Sequence, residues 1–163
     1  MNKRLAILLL LCAILGNGYA QNISGFWKGT LTMTGGCFPI NYIELQLTIS
    51  GTIDTGDSYQ YMDVHNYIKK RCTGTYDPNT KTIIVQEEMV LSYKIPQHCV
   101  ICIKRYELTY SKNGNTETLD GGWTGHIIDT PTECLPGTIV LNRIQESAFK
   151  SIPEVKVDTG TLR

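Results

Sequence analysis

Apolar and polar residues alternate with a period of two through most of this chain, and helical periodicity is nearly absent. That pattern restricts the fold more than any other feature. Tyr42 to Ser50 shows it best: Ile43, Leu45, Leu47 and Ile49 alternate with Glu44, Gln46 and Thr48. A strand with one buried and one wet face reads this way. Similar runs are expected at about 25–33, 52–62, 67–76, 82–94, 100–110, 117–127 and 138–143. Asp77-Pro78-Asn79 and Lys112-Asn113-Gly114-Asn115 supply turns between runs, the second a strong hairpin signal. The expectation is an all-β domain, an eight-stranded antiparallel up-and-down barrel or flattened barrel with a short C-terminal tail. Closing the sheet would remove its exposed edges.

The N-terminus reads differently. Lys3 and Arg4 precede an apolar run from Leu5 to Leu15, and Gly18 and Ala20 stand at the small positions of a cleavage site. Residues 1–20 are expected to be a secretory signal peptide, too short for a membrane span. Leu11 before Cys12 argues against lipoprotein processing. The domain would then occupy 21–145 and the tail 146–163, in a secreted or periplasmic protein. Asn22-Ile23-Ser24 is a glycosylation sequon, used only by a host that glycosylates. Removing Lys3 and Arg4 leaves 13 basic against 15 acidic residues, so neither nucleic acid nor an anionic membrane is an expected partner.

Five cysteines follow the leader: Cys37, Cys72, Cys99, Cys102 and Cys134. An oxidising compartment favours pairing, and an odd count leaves one thiol over. In an up-and-down barrel, Cys37, Cys99, Cys102 and Cys134 gather at one end. Two disulfides can form there, and the topology alone does not choose the pairs. Cys72 sits mid-strand, in phase with Gly74 and Tyr76, and reads as a small buried thiol. Cys99-Val100-Ile101-Cys102 has redox spacing but opens a strand, where no helix terminus lowers a thiol pKa.

The opening Gly25-Phe26-Trp27 resembles the Gly-x-Trp start of lipocalins, and avidins also carry a Trp on strand one. The resemblance implies that Gly25, Trp27 and Arg143 build the barrel floor, the guanidinium packing across the indole. The close Cys134-Leu135-Pro136-Gly137-Thr138-Ile139, with the earlier Cys102-Ile103-Lys104, is similar to exported bacterial lipocalin-like proteins. That likeness implies a Cys102–Cys134 disulfide, leaving Cys37 and Cys99 for the other. The Thr-Asp-Tyr lipocalin motif and a long C-terminal helix are missing.

By this analogy the leading expectation is a binding protein for a small apolar or amphipathic ligand, with no cofactor. Tyr59, Tyr61, Tyr93, Tyr106 and Met89 are candidate lining residues; Tyr42, Tyr67, Tyr110 and Leu47 are further ones. The alternative is a packed structural or protein-interaction domain without a ligand. An enzyme is not expected: nucleophile elbows, phosphate loops and His-Glu-x-x-His are absent from the sequence. Glu87 and Glu88 face opposite sides of a strand, so they make no carboxylate pair. Asp120 beside Gly121-Gly122 suits a bend. His65, His98 and His126 fall near one end and are weak candidates for a catalytic metal.

Overall fold

The computed structural model describes residues 22–38, 40–50 and 53–149. The expected signal peptide and most of the expected tail lie outside them. Eight strands follow in chain order: β1 (Gly25–Leu31), β2 (Tyr42–Ser50), β3 (Ile53–Asp63), β4 (Asn66–Asp77), β5 (Thr82–Lys94), β6 (Cys102–Asn113), β7 (Thr116–Ile127) and β8 (Glu133–Ile144). Each pairs antiparallel with its neighbour, and β1 pairs with β8, closing an up-and-down barrel. The alternation dictates this closure, because the inward residues of every strand need a common interior. The barrel is consistent with a calycin-like fold. No helix among the described residues is long and apolar enough to cross a membrane.

One end is a floor. Trp27 is fully buried, and its indole N–H donates to the Ile23 carbonyl at 2.9 Å. The Arg143 guanidinium lies 4.4 Å from the Trp27 ring. It also donates to Glu117 and to the Ser24 and Asn22 carbonyls, each at 2.7 Å. Gly25 has φ of 139°, and a Cβ there would stand 2.7 Å from Arg143. Only glycine admits both the backbone and the guanidinium. Tyr110 meets Trp27 edge-on at 6.2 Å.

The other end is stapled. The β1–β2 connection folds inward, burying Phe38. Disulfides join Cys37 to Cys99 and Cys102 to Cys134, with Cα separations of 5.6 and 6.3 Å. Each cross-link stabilises by about 2–4 kcal/mol. Among the described residues, Cys72 is the free cysteine, and it is buried. Both pairs and the odd thiol follow the expectation, and they suit an oxidising environment.

One seam of the wall is incomplete. β4 pairs β5 from Asp77–Thr82 to Tyr67–Lys94, but β5 pairs β6 only over Thr82–Gln86. Two register shifts along β4–β5, at Lys69/Lys70 and Arg71/Cys72, bend β5 away near the stapled end.

Candidate functional site

The interior at the split seam is charged. Lys70, Glu87 and Lys104 project from β4, β5 and β6 and are all essentially buried. Glu87 accepts from Lys70 Nζ at 2.5 Å, Ser58 Oγ at 2.7 Å, Tyr106 OH at 2.8 Å and the Lys104 backbone N–H at 2.8 Å. Lys70 Nζ also donates to the Cys102 carbonyl at 2.8 Å. Two of these bonds therefore tie β4 and β5 side chains to the β6 backbone, where β5 and β6 have parted. The cluster supplies the stitching that the backbone ladder omits. Burial alone would raise the Glu87 pKa, but the Lys70 and Lys104 charges hold it at about 2. Burial lowers Lys104 to about 7, with the Lys70 charge adding to the effect. Burial pushes the Cys72 thiol and the Tyr106 phenol up.

Lys104 Nζ donates to Gln60 Oε1 at 2.6 Å and lies 5.3 Å from the Trp123 ring. Gln60 donates in turn to Asn41 at 2.7 Å, and Asn41 to the Phe38 carbonyl at 3.2 Å. The free space against Lys104 at this end is about 10 Å³, enough for one water-sized body. The larger spaces lie outside, as a groove over β6–β8 whose two lobes of about 470 and 630 Å³ share Arg105, Thr124 and Pro136.

A second constellation stands on the outer face of β2, β3 and β4. Tyr42, Tyr61 and Tyr67 are register partners across the three strands. The segment after β8 crosses this face. The Phe149 ring stacks on Tyr59 with centroids 3.6 Å apart and meets Tyr61 at 4.8 Å. Tyr67 lies nearly parallel to Tyr59 at 5.4 Å. Gln46 Nε2 donates to the Phe149 carbonyl at 2.8 Å. Glu44, fully buried although on the outer face, accepts from Ser147 Oγ and from the Ala148 N–H at 3.3 Å. Backbone polar groups and an aromatic anchor are gripped together, as in peptide recognition.

These positions correct the expected lining. Tyr59 and Tyr61 face outward, on the outer register with Glu44 and Tyr42. Tyr93 and Met89 are exposed, at 60% and 54%, because the shifts in β5 turn its second half away from the interior. Among the five leading candidates only Tyr106 is buried in the barrel core, where it is part of the packing. Leu47 and Tyr110 are also core residues. Tyr42 and Tyr67 belong to the outer face.

His65, His98 and His126 are each exposed and do not converge. Among the described residues, the group close enough to share a metal is Cys37, His98 and Cys99, and both cysteines are consumed in their disulfide. Asp120 is exposed on β7.

The charged trio escaped the sequence reading, although a signal existed. Lys70 is in phase with Cys72, Glu87 with Ile83 and Val85, and Lys104 with Cys102, Tyr106 and Leu108. Three charges at inward positions pointed to a buried network. Phe149 had no such signal, since it lies beyond the alternating region.

No protein-family model matches the chain, and no curated protein is significantly similar to it.

Proposed function

We propose that this barrel works from its outside, as an exported, non-enzymatic protein-interaction domain that grips a phenylalanine-bearing segment across β2–β4. The observation that carries this reading is the contrast between the two faces of the sheet. At the stapled end, the place a lumenal ligand would take is filled by Lys70, Glu87, Lys104 and their partners, leaving about 10 Å³. The outer face, by contrast, already holds a segment of chain with stacking and backbone hydrogen bonds. A small apolar ligand would have to displace a buried, hydrogen-bonded ionic network, at a cost of several kcal/mol. A phenylalanine on the outer face stacks without that cost.

The test uses the full chain carrying Phe149→Ala and a synthetic peptide of residues 145–151. The expected result is saturable peptide binding to the variant, with weaker binding to the native chain, whose own segment competes. Binding should vanish when Tyr59→Ala is added. Native mass spectrometry and a lipophilic-probe titration on the purified native protein complete the test. A bound apolar molecule, or a peptide indifferent to both changes, would refute the proposal.

A further inference from the structure

The 10 Å³ space against Lys104 is the bottom of a narrow throat at the stapled end. Cys37, Cys99 and the exposed Val100 line its mouth, and Asn41, Gln60 and Lys104 its base. Among the described residues, Lys104 is the charged side chain on this wall. Lys70 and Glu87 stand behind it, away from the throat. Glu87 is the carboxylate that would neutralise Lys104, yet its oxygens are committed to Lys70, Ser58, Tyr106 and the Lys104 backbone N–H. The cluster thus holds two ammonium groups and one carboxylate. An ammonium has three donors. Among the described residues, the side-chain acceptor that Lys104 Nζ reaches is Gln60 Oε1. A buried cation in excess of its counter-charge, facing a void one small body wide, calls for an anion.

We propose that this throat is a binding site for a small monovalent anion of halide size, held against the Lys104 ammonium. The void of about 10 Å³ sets the class: a single ion of halide size is the nearest match, whereas sulfate and organic carboxylates are far larger. The anion completes the charge balance of the trio, and it receives the ammonium protons that Gln60 leaves unused. The Cys37–Cys99 disulfide frames the mouth and limits what enters.

Binding is linked to protons, because a neutral amine does not hold an anion. The titratable groups facing the cluster are Lys70 and Cys72 from β4, Glu87 from β5 and Tyr106 from β6; Gln60 of β3 and Trp123 of β7 do not titrate. Glu87 stays ionised between pH 6 and 8, while Cys72 and Tyr106 stay neutral. With Lys104 at about 7, the chloride concentration for half-saturation is expected to be about tenfold lower at pH 6 than at pH 8.

The experiment is thermal unfolding of the native chain in rising sodium chloride, against sodium sulfate at equal ionic strength. The expected result is a rise in Tm with chloride that sulfate does not reproduce, larger at pH 6 than at pH 8. Lys104→Met should abolish the chloride-specific rise. Equal effects of the two salts, or a chloride effect that persists in Lys104→Met, would overturn the site. Should that variant fail to fold, crystals of the native protein soaked in bromide decide the matter. An anomalous peak beside Lys104 Nζ supports the site, and bromide found only elsewhere rejects it.

Discussion

Glu87 is the residue on which the interior depends. Four donors saturate it, and its charge neutralises Lys70 at a site without water contact. Glu87→Gln keeps the shape but leaves Lys70 without its carboxylate, and removing one partner of a buried pair costs about 3–5 kcal/mol. A urea unfolding midpoint lowered with unchanged slope would show that loss; an unchanged midpoint would contradict the ion pair. The two perturbed groups also act in opposite pH windows. Glu87 is held at about 2 when folded, below its ordinary value, so its contribution is complete above about 4.5 and is lost as pH falls toward 2. Lys104 is held at about 7 when folded, below the ordinary 10.5, so the unfolded chain binds more protons between those values. Stability from this lysine therefore rises as pH climbs above 7. Near pH 9 the raised Cys72 thiol begins to oppose it, because the unfolded cysteine ionises first. Tm measured from pH 6 to 9 should climb in the native chain relative to Lys104→Met. Residue types told part of this story in advance. Trp27, Arg143 and the cysteines carry their roles in their chemistry, whereas a lysine in a strand ordinarily faces water, and only its phase says otherwise.

The strands were legible because each alternates, and their order followed from short turns between them. β2 and β5 match the expected limits at both ends, while β8 begins at Glu133 rather than 138 because its first residues pair with β7 around an irregularity at Trp123/Gly125. The split between β5 and β6 was not legible. It arises from two register shifts that alternation does not encode, since each displaces the phase by one residue without a glycine or proline to mark it. The split has a kinetic consequence. β5 beyond Gln86 has a ladder partner on β4 alone, so its amides that face β6 lack the protection of a two-sided strand. Hydrogen exchange should find those amides in 87–94 exchanging about tenfold faster or more than amides in β4. Uniform protection across β4 and β5 would mean that the seam is closed in solution. Cys102–Cys134 anchors β6 beside this seam, so replacing both cysteines with serine should cost about 2–5 kcal/mol and quicken the same amides.

At the scale of the molecule, the barrel is sealed at its floor by Arg143, stitched at its seam by Glu87 and belted on its outer wall by Ser147, Ala148 and Phe149. The belt differs from the other two because it lies on a surface and is removable. Its energy is expected to come from stacking and from the apolar area that Phe149 covers, about 1–2 kcal/mol for a half-buried ring. Area alone would make Phe149→Ala and Tyr59→Ala additive, whereas a specific stack makes them couple. The centroid separation of 3.6 Å predicts coupling of about 0.5–1.5 kcal/mol in a double-mutant cycle read by chemical unfolding. Tyr93 supplies the control, since it is exposed and the Phe149 ring contacts are with Tyr59 and Tyr61 instead, and its pairing with Phe149→Ala should be additive. Coupling to Tyr59 with none to Tyr93 locates the belt in solution where the structure has it. Additivity in both cycles would mean that Phe149 leaves the slot in solution, and the outer tyrosines would then be a free face rather than an occupied one.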